Sequence, residues 1–349
     1  MKASVNIGLN AVIVAVTEGV PRVLTVRPEL FPRSHSKWRM HGNSSPDDKL
    51  EALPFGPFDP AQDRTLELGL RRWVHDQTGL DLGYVEQLYT FGDRNRDPME
   101  SEGGPRVISV AYLAFVRESR LSGAGNALWR DWYYFLPWED WRSGRPAMID
   151  EVIFPALRQW VRRARDSASR RESTERCDIA FGCGEALWTP ERVLERYELL
   201  YEVGLAEESE RDNQRKKMQP LGPKAVHERG DMSGQGLGCS MAFDYRRILA
   251  TALGRLRGKV KYRPVVFELL PAAFTLSQLQ RVLEALAGAR LHKQNFRRLV
   301  ETGGLVEGTG RMDVQTGGRP AEIFRFRREV LRERPAPGVG LPGLAIRQI

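Results

Sequence analysis

The chain has 349 residues, 41% hydrophobic and 28% charged, which is globular composition and enough length for two or three domains. No apolar run approaches the ~20 residues of a membrane span, and the small and β-branched N-terminus reads as a strand with no signal-peptide cleavage site. Cys177, Cys183 and Cys239 are too sparse for a disulfide framework and lack zinc-site spacing, so a cytoplasmic protein is predicted.

VNIGLNAVIVAV (5–16) predicts a strand and VPRVLTVRP (20–28) its hairpin partner. A polar, Pro-rich loop runs to about residue 53. LPFGPFDPAQDRTLELGLRRWVHDQTGL then predicts a Gly/Pro loop, a helix capped by Asp63 and a Gly stop. Leu66, Leu70 and Val74 form one apolar stripe on that helix. VEQLYTFGD (85–93) and VISVAYLAFV (107–116) predict two more strands. WRDWYYFLPWEDW (129–141) predicts a strand running into a short helical element. Its aromatics read as buried core, with stacking on an adenine as the other use. MIDEVIFPALRQWVRRARD predicts a helix, and SASRREST a charged break after it. TPERVLERYELLYEVGL (189–205) has a Thr cap, Pro in its first turn and Gly at its end, a complete helix. Residues 206–240 lack an apolar period and predict a linker.

From Met241 the pattern changes. AFDYRRILATALGRLRGK predicts a helix with Ile248, Ala252 and Leu256 on one face. A second helix is capped by Thr275 and buries Leu276, Leu279, Val282, Leu283 and Leu286. After the turn ARLHK comes a third, QNFRRLVETGG, with Phe296, Leu299 and Val300 inward, then two strands around a Gly-rich tip. Three helices and a hairpin are the order of a winged helix-turn-helix. Residues 241–334 hold 19 Lys and Arg against 9 Asp and Glu, while the whole chain is only +8. That imbalance suits a polyanion-binding module as well as a solvated basic surface. The tail from Pro335 is predicted to pack poorly.

Residues 53–80 resemble the Nudix signature, G-x5-E-x7-R-E-U-x-E-E-x-G-U, where U is aliphatic. Anchoring its last Gly on Gly79 places Arg72 on the Arg, and Val74 and Leu80 on aliphatic positions. Gly56 lies two residues early, and Arg64 stands where the loop Glu belongs. The R-E-U-x-E-E carboxylates become Trp73, Asp76 and Gln77. These are spaced i, i+3, i+4 and share one helix face. One carboxylate there holds a hydrated divalent ion weakly, so efficient diphosphate hydrolysis is not expected.

The stretch FELLPAAFTLSQLQRVLEALAGARLHKQNFRRLVETGGLVE, with GGRPAEIFRF, resembles the C-terminal domain of the Nudix-related transcriptional regulators, the NrtR-type repressors of NAD metabolism. The likeness covers about residues 241–327. The length and the eroded box look most like the alphaproteobacterial, NadQ-like branch. The resemblance implies a two-domain α+β protein: a Nudix-like α/β/α sandwich (1–160), a helical extension and linker (161–240), a winged helix-turn-helix (241–334) and a tail (335–349). It further implies a homodimeric repressor of NAD biosynthesis genes that binds a palindromic double-stranded DNA operator. That repressor would answer to an adenine nucleotide effector (ADP-ribose, NAD or ATP), need no cofactor, have no membrane partner and not act as an enzyme. An active Nudix hydrolase fused to a nucleic-acid-binding domain is the alternative.

Residue chemistry supplies the expected sites. The second helix of a helix-turn-helix enters the major groove, and here it presents Lys293, Gln294, Asn295, Arg297 and Arg298. Arg311 and Arg319 flank the wing tip, and Thr275 is placed to donate to phosphate. For the effector, Arg27, Arg64 and Arg72 suit a diphosphate, with Asp76 the surviving acid. Arg72 has a competing role, since this Arg often braces the helix of the resembled fold through an ion pair.

Overall fold

The computed structural model describes residues 5–27, 50–94, 96, 100, 104–122, 127–218, 237–314 and 320–339. Strand β1 (Val5–Thr17) turns through Glu18 and Gly19, both at positive φ, into β2 (Val20–Thr25). That two-residue turn matches the twist of the hairpin it closes. β3 (Phe55–Pro57) pairs with the first half of β1. Helix α1 (Leu66–Thr78) and strands β4 (Tyr84–Phe91), β5 (Arg106–Phe115) and β6 (Leu128–Asp131) complete the unit. The sheet order is β4-β5-β1-β2-β6, with β1 and β5 parallel and the other pairs antiparallel.

Both faces of β1 are covered, which is why its sequence is a continuous apolar run. Leu9, Ala11 and Ile13 meet Leu70 and Val74 of α1 on one face. Val12 and Val14 face a helical layer on the other. Leu70 and Val74 are fully buried, each stabilising by about 1.5–3 kcal/mol. The N-cap of α1 is Thr65, whose side chain accepts from the Leu68 N–H, not the expected Asp63. Asp63 is buried and serves Arg72 instead. Gly79 ends the helix in the left-handed conformation, as its sequence predicts.

The aromatic stretch after β6 forms two short 3-10 turns. Its Trp132, Tyr133, Phe135 and Trp138 are core, and Tyr134 is exposed. A π-helical turn (Ile149–Ile153) leads into α2 (Phe154–Arg162). The charged break expected next is helix α3 (Ser167–Phe181), capped by Asp166 and stopped by Gly182. It buries little beyond Cys177, Ala180 and Phe181, so no apolar period marks it. Helix α4 (Val193–Val203) starts later than its Thr-Pro signal, because Thr189 and Pro190 form a turn before it. The first part of the expected linker is helix α5 (Glu207–Met218). Its Glu208 is buried against Arg246 at 2.8 Å and receives the Met241 N–H.

Helix α6 (Tyr245–Val260) packs chiefly on α4, and it also touches β1, β4 and α7 (Leu276–Ala287). One continuous hydrophobic core therefore runs across residue 241. α8 (Lys293–Gly303) follows α7, and β7 (Phe274–Thr275), β8 (Val306–Asp313) and β9 (Ala321–Phe326) form a sheet ordered β7-β9-β8. A last turn, α9 (Val330–Glu333), precedes the tail. The described part of that tail is packed, against expectation. Val339 is buried and donates to Val260, and Gly338 lies against the backbone of Lys261 and Tyr262.

Candidate nucleic-acid interface and effector site

α7 and α8 are joined by a turn that begins at Gly288, left-handed at φ 70°. α7 is anchored by a capping box, in which Thr275 and Gln278 exchange hydrogen bonds. Thr275 is buried in that role, which removes it from the expected phosphate donors. On α8, Phe296 and Val300 are buried and Leu299 is half-buried. Lys293, Gln294, Asn295, Arg297 and Arg298 are all exposed on its outer face. Three cations and two amides thus stand clear of the core at the start of one helix. Their donors fit phosphate oxygens and the acceptor and donor pattern of purine edges. Arg311 is exposed on β8, and Arg319 lies outside the described residues.

Residues 266–326 match the family profile described as the NrtR DNA-binding winged helix domain. This module is an NrtR-type winged helix. The chain is also 38% identical, over 92 residues, to the ADPR responsive transcriptional repressor NtrR of Acinetobacter baylyi. That match covers 26% of this chain and 36% of the relative. Shewanella oneidensis NrtR is similar in fold along most of the chain. Its complex with a 27mer DNA has a TM-score of 0.51 at 18% identity, covering 93% of this chain and 95% of the other. A second crystal structure of that protein gives 0.50 at 19%, with the same coverage. The fold is therefore a Nudix-like domain followed by the NrtR-type winged helix.

In the Nudix-like domain the eroded signature has been rebuilt as packing. Trp73 lies flat on Gly56, where any added Cβ would sit 2.2 Å from the indole ring. The indole N–H donates to the Pro57 carbonyl at 2.7 Å. Gln77 is buried, accepts from the Phe55 N–H at 3.2 Å and donates to the Phe55 carbonyl at 2.5 Å. Two of the three positions that would face a divalent cation thus bind α1 to β3. Asp76 is exposed and alone there, so the donor set does not fit a magnesium site. Among the described residues no group of three or more His, Cys, Asp and Glu is gathered for a metal.

Arg72 makes a forked pair with Asp63 at 3.0–3.1 Å and lies over the Trp73 ring. It braces the helix. Arg64 is exposed just before α1, Asp76 lies one turn beyond Arg72, and Arg27 is half-buried after β2. Among the described residues no hydrogen bond or ion pair joins Arg27 to the other three.

The winged helix is wired to this domain by groups that the sequence does not advertise. The last turn of α7 leaves carbonyls with no partner inside the helix. Tyr133 Oη donates to Ala285 O at 2.8 Å, Arg257 Nε to Leu286 O at 3.2 Å, and the Trp141 N–H to Gly288 O at 2.7 Å. Beneath them Glu139, fully buried, takes a fork from Arg196 at 2.6 and 2.9 Å and a bond from Arg257. Arg196 also lies 3.9 Å over the Trp188 ring. Burial pushes the Glu139 pKa up, but the two guanidiniums outweigh it and hold the carboxyl below its ordinary range. Glu139 is thus ionised at neutral pH. The β1–β2 turn joins the same junction, with Gly19 O accepting from Arg142 and Gly19 lying beside Arg281 of α7.

This junction leaves little mark in the sequence, because its members are 57 and 118 positions apart and no local pattern couples them. The one available signal was Glu139 itself, an acid inside an aromatic run.

Proposed function

We propose that this chain is a nucleotide-responsive transcriptional repressor. The winged helix reads a palindromic operator as part of a homodimer in the cytoplasm, and the Nudix-like domain senses an adenine nucleotide. The exposed polar face of α8 in an NrtR-type winged helix carries this reading. ADP-ribose is the first effector to test, since the Acinetobacter relative is described as ADPR responsive, and NAD biosynthesis genes are the expected targets. Arg27, Arg64 and Asp76 face the nucleotide, while Arg72 positions α1. The Nudix-like domain does no hydrolysis, because Trp73 and Gln77 stand as packing groups where the signature has metal-binding carboxylates.

Selection of bound duplexes from genomic fragments tests the proposal. A two-fold-symmetric site upstream of NAD biosynthesis genes is expected, with affinity changed by ADP-ribose. Recovery of no preferred sequence would end it. AMP release from ADP-ribose with Mg²⁺, lost in Asp76→Ala, would favour the hydrolase alternative.

A further inference from the structure

The α2–α3 hairpin has a feature that neither the winged helix nor the proposed nucleotide-binding residues use. Residues 162–171 hold Arg162, Arg163, Arg165, Arg170 and Arg171 against a single acid, Asp166. All five arginines are exposed. Asp166 offsets one of the five charges without pairing with any of them: its carboxylate accepts the Ser169 N–H at 2.8 Å and the Ser169 hydroxyl at 3.2 Å. Among the described residues no carboxylate forms an ion pair with any of the five guanidiniums. The contrast is local. Arg145 before the hairpin pairs with Asp150, and Arg176 farther along α3 pairs with Glu202. Arg145 and Arg176 are thus paired, and the five arginines of the tip are not.

Its place in the fold matters as much as its charge. The hairpin springs from the segment that holds the helix-turn-helix turn, where the Trp141 N–H donates to Gly288 O and Arg290 donates to Arg142 O. From Ile149 to Arg162 the chain is helical, a reach of roughly 20 Å. One turn of duplex DNA spans about 34 Å, which is longer than that reach.

We propose that this hairpin tip is a second DNA-binding surface, which grips the phosphate backbone of duplex DNA flanking the operator. The proposal rests on the reading of the chain as an operator-binding protein. Five guanidinium forks match phosphate oxygens, and phosphate contacts position a protein on the duplex without reading its sequence. The tip therefore lengthens the footprint and strengthens binding without changing the sequence read.

The test uses the full chain carrying Arg162→Gln, Arg163→Gln, Arg165→Gln, Arg170→Gln and Arg171→Gln. Fluorescence anisotropy compares two duplexes bearing the selected site, one trimmed to the site and one with random flanks on both sides, across a salt series. The unmodified chain is expected to bind the flanked duplex at least tenfold more tightly at low salt. Its slope of log affinity against log salt should also be steeper by about 2–4 there. The variant should lose that gain, keep its affinity for the trimmed duplex and keep its melting temperature. The matching Arg→Lys variant should retain most of the slope. An unchanged slope in the Gln variant on the flanked duplex overturns the proposal, as does loss of anionic-vesicle binding with DNA binding intact. Failure of the unmodified chain to bind either duplex would instead remove the operator reading beneath it.

Discussion

At the scale of single residues, the Nudix-like helix shows how two positions of a signature can be taken up by packing against a neighbouring strand. Gln77 illustrates this, since its amide satisfies both the N–H and the carbonyl of Phe55. Gln77→Glu, which restores the signature residue, removes a donor and sets a carboxylate against a carbonyl. Urea denaturation should show a loss of about 1–3 kcal/mol, and an unchanged midpoint would mean that the amide contributes nothing. On α8, Arg297→Ala with Arg298→Ala should weaken binding to all duplex sequences and lower the salt slope by about 2. A variant with the original slope would take both arginines off the phosphates. The exposed face of α8 was legible because apolar spacing fixes the inward side, and Phe296 and Val300 do point in. Trp73 on Gly56 was not legible, because it depends on a strand 17 residues earlier coming to lie under the helix.

At the scale of elements, strands and capped helices with an apolar stripe were readable, and helices lacking that stripe were not. α3 is held by a cap, a glycine stop and three buried residues near its end, and α5 by the burial of Glu208. Neither leaves a periodic trace. The junction under α7 makes a sharper prediction. Replacing Glu139 by Gln leaves Arg196 and Arg257 buried without their counter-charge, at a cost of about 3–5 kcal/mol near neutral pH. The folded pKa of Glu139 lies below its unfolded value of about 4.3. Its stabilisation is therefore present above that value and lost as pH falls through the folded one. The gap between wild type and Glu139→Gln should be widest near neutrality and shrink in acid, and a gap independent of pH would show that Glu139 is not ionised in the fold. Gly288→Ala forces a side chain into a left-handed position with its Cβ 2.3 Å from the Glu139 carbonyl. It should loosen the winged helix from the domain beneath, read as faster hydrogen exchange in α7.

At the scale of the whole molecule, the domain order followed from the sequence, but the continuity between the domains did not. α6 reads as the first helix of a separate module, yet it packs on α4 and sends Arg257 and Arg246 into buried ion pairs. A nucleotide that shifts the sheet or the 133–142 segment is thereby joined to α7 through bonded groups rather than through a tether. Allosteric coupling of this kind is typically worth 1–3 kcal/mol. Under the proposed function, nucleotide occupancy is read out as operator affinity without turnover. The most direct measurement is titration of the selected operator duplex with and without ADP-ribose, with nucleotide products followed in the same samples. A change in Kd of about 5–150-fold with ADP-ribose left intact is the expected result. Steady release of AMP with no change in operator affinity would contradict it.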